Sequence, residues 1–407
     1  MTTTQNHQQA LPLHLSFAIL PLLASRTASK ASISELPLSS IPLPDSLPAP
    51  LLGMFLAWKE LQKNQNLAKA VETESLNRLN ELASGIIKYK DINFQRDLAE
   101  PFTVLRIGNA RLLEFESKNQ NRQVIFLVPS LINRYYILDL TKKLSFARYL
   151  SDQGFKVFIV DWDSPSKFEK NFNSALYVTE ILIPMLEWVR NVRKEKITLA
   201  GYCMGGLLAL ALATIRPELL DKIAFFSTPW NFFAKSFPRI EISEKDISSL
   251  KTYISSQESI SPDFIHNLFH YANPCAFHNK LRELASIDVS DPKNQDFLAI
   301  EHWVNDGVPM TANVALDCLV KWTQYNDTAN LKWRVGGQNI DPSKLKMPTF
   351  LVAPVNDNIV PYECAIPLAG LIKNCDIISP NSGHISMMVG KRRKSELWEP
   401  FCKWLMN

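Results

Sequence analysis

Between Ile197 and Ala213 the chain reads ITLA, GYCMGG, LLALALA: a short apolar run, three glycines within six residues, then an apolar stretch of helical character. Glycine is scarce here, 13 of 407 residues, against a usual share of roughly 7%. Clustering a scarce residue points to a turn in which a Cβ would not fit. Strand, sharp turn and helix with Cys203 at the apex match the nucleophile elbow G-x-S-x-G, with sulfur in place of the hydroxyl. The Met204 N–H would then lie at a helix N-terminus, where it can face a developing oxyanion. The competing structural interpretation is a tight glycine turn around a buried Cys.

An elbow of this kind sits in an alternating strand and helix pattern, and the surrounding sequence supplies one. Val124 to Val128, Val157 to Val160, Ile197 to Ala200, Ile223 to Phe226 and Thr349 to Ala353 are short apolar runs, as expected of strands buried on both faces of a parallel sheet. Helical stretches are predicted between them, at Lys142 to Gln153, Ala175 to Val192 and Met204 to Ile215. The fold class is therefore α/β, with a mostly parallel central sheet.

A nucleophile at an elbow needs an acid and a base, which follow it in the chain in that order. Asp357 lies in PVNDNIVP, just past the strand TFLVA, and His384 lies in PNSGHIS, just past the run DIIS. A second oxyanion donor is expected from the backbone after VIFLV, around Ser130 to Leu131.

Composition narrows the functional class. Hydrophobic residues are 46% and charged residues 21%, which permits a large core, and 44 basic against 40 acidic side chains leaves a net charge of +4. So small a surplus gives no nucleic-acid footprint. Six cysteines without a C-x-x-C pair read as reduced thiols, which places the protein in the cytoplasm. The apolar run Leu11 to Ala24, interrupted by His14, Ser16 and Pro21, is shorter than the roughly 18 residues of a spanning helix. No transmembrane segment and no secretory signal are expected. An arm packed on the main domain and a surface facing a hydrophobic phase both fit this run.

GYCMGG, VPSLINRYYILDL (Val128 to Leu140), VDWDSPS (Val160 to Ser166), NDNIVP (Asn356 to Pro361) and SGHI (Ser382 to Ile385) occur in one order. Together they resemble the polyhydroxyalkanoate synthases, over roughly Pro101 to Leu405. The resemblance implies an α/β-hydrolase fold and a catalytic triad of Cys203, Asp357 and His384. It further implies polymerisation of (R)-3-hydroxyacyl-CoA with release of coenzyme A. The thioester is then a substrate, and no cofactor or metal is expected. A polyester granule would be the site of action, and a homodimer or a second synthase subunit stays open. Asp357 would either orient His384 or help activate the attacking hydroxyl. Asn358 departs from the pattern, since the family commonly places His after the catalytic Asp. A hydrolase on the same scaffold, or a silent granule-associated homologue, are the alternatives.

The expected organisation is an N-terminal apolar arm and helical layer over residues 1–100, with Met54 to Leu98 helix-like, followed by a core over 101–228 and 334–407. The intervening 229–333 is expected to form an inserted cap. Its aromatics Trp230, Phe232, Phe233 and Phe237 read as core packing ahead of an acyl path. His266, His270, Cys275 and His278 imitate metal spacing, but Pro274 breaks the run and no zinc framework matches. Asn305 and Asp306 could position substrate or form a turn. The basic cluster Gly390 to Lys394 reads as a solvated face ahead of a phosphate grip.

Overall fold

The structure, a computed structural model, describes residues 22, 23, 25, 26, 64–91, 94–116, 122–272, 274–288 and 290–407. Most of the apolar run at 11–24, and residues 54–63 of the predicted helical stretch, lie outside them. Two compact units are present, one comprising residues up to 93 with 267–295, the other 94–266 with 296–407.

In the first unit, helix α1 (Gln65–Asp91) packs against the helix Pro274–Ser286. The contact is close because Gly85 faces the partner backbone: a Cβ there would fall 1.9 Å from the Leu281 carbonyl oxygen. Leu82 and Leu281 are buried in this seam, Arg282 pairs with Glu81 at 2.5 Å, and Lys88 Nζ donates to the Ala285 and Ile287 carbonyls.

The second unit is built on eight strands: β1 (Phe102–Ile107), β2 (Ala110–Phe115), β3 (Val124–Val128), β4 (Lys156–Asp161), β5 (Ile197–Tyr202), β6 (Leu220–Phe226), β7 (Thr349–Val352) and β8 (Cys375–Ile378). They lie in the order β1-β2-β4-β3-β5-β6-β7-β8. Strand β2 runs antiparallel to β1 and β4, and all pairs from β4 to β8 are parallel. An eight-stranded sheet of this order, with only the second strand reversed, is the α/β-hydrolase fold.

The apolar runs occupy its centre. Every residue of β3, β5 and β7 is buried, so neither face can alternate with polar residues. The edges differ. Strand β1 is largely exposed, and β8 shows solvent at Asp376 and Ile377. Helix α2 (Phe146–Asp152) starts four residues later than the sequence expectation, because Ser145 caps it by accepting the Arg148 N–H at 3.0 Å. The helix expected from Ala175 is unbroken over 174–193: α-helical at Ser174–Leu176, π-wound over Tyr177–Leu182 and α-helical again in α3 (Ile183–Arg193). The helices α4 (Met204–Ile215) and α5 (Glu399–Met406) cover the sheet. Phe401 of α5 packs on Phe226 and Phe350 at ring separations of 5.1 and 5.7 Å.

Candidate active site

Strand β5 ends in Tyr202 and α4 begins at Met204, so the whole turn is made by one residue. Cys203 has φ 56° and ψ −128°, a conformation an L-residue adopts only where its surroundings over-determine it. Those surroundings are visible. The Cys203 N–H donates to the Phe226 carbonyl at 2.8 Å and its carbonyl accepts from Gly206 at 2.9 Å. The flanking glycines let backbone meet backbone: a Cβ on Gly201 would lie 2.4 Å from Gly206 Cα, and one on Gly205 2.1 Å from the Val128 carbonyl oxygen. The density of glycine here therefore has a steric cause.

Strands β7 and β8 deliver the other two side chains past their ends, and their loops are tied together. The Val355 N–H donates to Pro380 at 3.0 Å, Asn356 to Ser382 at 3.2 Å, and the Asn356 and Asn381 side chains meet at 2.7 Å. In that frame His384 Nδ1 lies 2.7 Å from Asp357 Oδ2, and Cys203 is near enough to the same imidazole to raise its pKa. Asp357 is 3% exposed, His384 8% and Cys203 9%, so all three are buried, the carboxylate most deeply. Burial alone would push the His384 pKa down, but the Asp357 carboxylate and then Cys203 outweigh it and hold the imidazole up, at about 10. For Asp357 burial would raise the pKa; His384, the Val360 N–H and Ser227 more than offset it and keep the carboxylate below its usual range. Asn358, where the resembling family carries His, is exposed.

Four donors converge on Asp357. Oδ1 accepts the N–H groups of Ile359 and Val360 at 2.9 and 2.8 Å, and Oδ2 accepts the Ser227 hydroxyl at 2.7 Å as well as His384. Sequence reasoning did not pick out Ser227. Its one signal was position, the first residue past the apolar run of β6.

The segment after β3 is pinned on both sides of Leu131. Pro129 O accepts the Trp162 indole N–H at 3.1 Å, Ile132 O accepts the Val308 N–H at 2.8 Å, and Arg134 O accepts the Trp303 indole at 2.8 Å. The Leu131 N–H itself makes no hydrogen bond to a described residue. The Met204 N–H, first in its helix, has no carbonyl within the helix to donate to. Asp306 belongs to this clamp, bonding the Tyr136 hydroxyl at 2.8 Å and lying 3.6 Å from Arg134 Nε. Asn305 donates to the Glu301 carbonyl at 2.6 Å and ends its helix. Replacing Tyr136 by Phe is expected to cost about 1 kcal/mol, read as a lower denaturation midpoint with an unchanged slope.

The remaining sequence candidates fall away from the thiol or into packing. Trp230 and Phe232 are buried in the core, Phe237 packs against it, and Phe233 is exposed beneath the Arg239 guanidinium. Within the Gly390 to Lys394 cluster, Arg392 bonds the Asn381 carbonyl and Arg393 that of Lys143 at 2.9 Å. The side chains of His270, Cys275 and His278 lie outside the described residues, among which no acidic, His and Cys group of three or more is arranged to hold a metal. No helix among the described residues is long and apolar enough to cross a membrane.

Two family descriptions match parts of the chain: "Poly-beta-hydroxybutyrate polymerase (PhaC) N-terminus" over residues 99–150 and "Dienelactone hydrolase family" over 165–258. Among relatives, the poly(3-hydroxyalkanoate) polymerase subunit PhaC of Haloferax mediterranei is 26% identical over 74% of this chain and 62% of that protein. The subunit of the same name from Haloarcula marismortui is 23% identical over 72% of this chain and 62% of its own length. That from Synechocystis is 23% identical over 82% and 92%. The chain thus aligns with less than two thirds of the length of the two haloarchaeal proteins.

Proposed function

Because this chain is a relative of the poly(3-hydroxyalkanoate) polymerases, we propose that it is an acyltransferase that joins (R)-3-hydroxyacyl groups taken from coenzyme A thioesters. The observation that carries this is the placement of Cys203 at the strained turn after β5 with His384 bonded to Asp357 past the ends of β8 and β7. Thiolate attack on a thioester exchanges one C–S bond for another of similar energy, which suits transfer better than hydrolysis.

In the first half-reaction His384 holds the proton released by Cys203 while the sulfur attacks the thioester carbonyl. The C–S bond to Cys203 forms, the C–S bond to coenzyme A breaks, and the departing thiolate takes the proton from His384. In the second, the hydroxyl of a hydroxyacyl group gives its proton to His384 as its oxygen attacks the acyl-enzyme; the ester C–O bond forms, the C–S bond to Cys203 breaks, and the departing Cys203 thiolate takes the proton from His384. Asp357, bonded to Nδ1, keeps Nε2 turned toward sulfur and supports the imidazolium that forms within each half-reaction. Of the two roles open to Asp357, this contact favours orienting His384. The N–H groups of Met204 and Leu131 are assigned to the oxyanion, since neither bonds a described residue and they lie directly after the nucleophile and directly after β3. No resident cofactor is needed for either step.

The test is incubation of the full chain with (R)-3-hydroxybutyryl-CoA, following released thiol and the acyl product. Released coenzyme A with ester-linked oligomers supports the proposal. Release with monomeric hydroxy acid instead identifies a hydrolase, and no release, also with a partner synthase subunit added, overturns the enzymatic assignment.

A further inference from the structure

The carboxylate oxygen that faces His384 is shared. Asp357 Oδ1 is already held by two backbone N–H groups at 2.9 and 2.8 Å, enough to fix the position of the carboxylate. Oδ2 meets His384 Nδ1 and the Ser227 hydroxyl, each at 2.7 Å. Ser227 is wholly buried, and its backbone stands at φ 46°, with its N–H bonded to Val352 at 2.9 Å. A non-glycine residue in that conformation is costly. Here it sits at the switch from β6 into the following loop, and it aims the hydroxyl at Oδ2.

We infer that Ser227 is a positioning residue that tempers the pull of Asp357 on His384: by donating to the oxygen His384 uses, it limits how tightly the carboxylate holds the imidazolium. The inference rests on the assignment of Cys203, His384 and Asp357 as one catalytic unit. Without the Ser227 donor the carboxylate stays in place on its two backbone bonds, but Oδ2 concentrates its charge on His384 alone. A more strongly held imidazolium stabilises the Cys203 thiolate beside it, and gives up its proton less readily to departing coenzyme A. Two effects of opposite sign follow, a thiol more reactive at low pH and a slower turnover.

The other titratable groups facing this unit stay neutral and do not mask the effect. Tyr202, whose ring lies 5.1 Å from that of His384, is pushed well up by burial. Cys364 is pushed up to about 12, chiefly by burial. Cys318, in contact with Met204 Sδ at 3.8 Å, is raised well above its usual value by burial, then by Asp317 and Cys203.

The experiment measures iodoacetamide labelling of the Cys203 peptide by mass spectrometry against pH, beside coenzyme A release, for the full chain and Ser227→Ala, Ser227→Gly and Ser227→Thr. Ala and Gly are expected to shift the labelling midpoint down by about half a unit, making labelling near pH 6 about threefold faster. Turnover should fall by up to about threefold with little change in KM. Gly relieves the positive φ, so agreement between Gly and Ala excludes backbone strain as the cause. Thr keeps the hydroxyl and should keep the midpoint while lowering thermal stability. An unmoved midpoint in both Ala and Gly, or a shift to higher pH, overturns the inference. Labelling does not depend on the acyl substrate, so a wild-type chain that transfers no acyl group would sink the proposed function while leaving this test intact.

Discussion

Cys203→Ala is expected to reduce release of coenzyme A from a hydroxyacyl thioester by roughly four orders of magnitude or more. The reason is that the proposed reaction has no route around the sulfur. The next sulfurs do not substitute for it. Cys364 is fully buried and Cys318 belongs to the packing around Met204. The change removes one sulfur from a turn whose shape is set by backbone contacts at Phe226 and Gly206, so the fold should survive and circular dichroism should be unchanged. Cys203→Ser is the informative companion. It keeps the shape of the turn but replaces a thiolate with a hydroxyl that is poorly ionised at neutral pH, and acyl transfer should fall nearly as far. Full transfer by the Ala variant would show that the chemistry lies elsewhere.

The second large effect concerns the turn itself. Gly205→Ala is expected to destabilise the protein by about 3 kcal/mol. The added methyl would lie 2.1 Å from the Val128 carbonyl oxygen and 2.5 Å from that of Pro129. Both are backbone atoms at the end of a strand buried along its full length, and they cannot swing aside as a side chain would. Relief requires α4 to draw back from β3, which would open the core beneath the elbow and displace the Leu131 segment that follows. Gly370→Ala provides the contrast. It lies within the helix Tyr362–Leu371 with nothing within 4 Å of the added atom, and should stabilise by about 0.5 kcal/mol. Denaturation of both variants with matched slopes checks the pair. Equal midpoints would mean that the glycines of the elbow are not there for space.

The parts of this protein written in adjacent residues were readable without a structure. The five apolar runs are central strands of the sheet because a strand covered on both faces leaves no place for polar side chains, and that rule acts on neighbours in sequence. GYCMGG was legible for the same reason: steric exclusion of Cβ at a sharp turn is a local demand. Asp357 could be picked out because it lies just past the end of such a run, and His384 because it follows the acid in the chain, past DIIS. The hairpin of β1 and β2 was missed. Strand β1 is largely exposed, so its residues, FTVLRI, carry no core pattern.

What needed the tertiary structure was every relation between distant segments. Ser227 has no motif, and its meaning depends on a carboxylate 130 residues away meeting it at 2.7 Å. Asp306 could equally have been a turn residue or a substrate contact until the backbone brought it to Tyr136 and Arg134. The division is physical. Propensity, steric exclusion and burial periodicity act between neighbours and leave marks in the order of residues. Hydrogen bonds to buried carboxylates, the pull of Asp357 on His384 and the freedom of the Leu131 N–H depend on three-dimensional distance, which this sequence specifies only through the folded sheet.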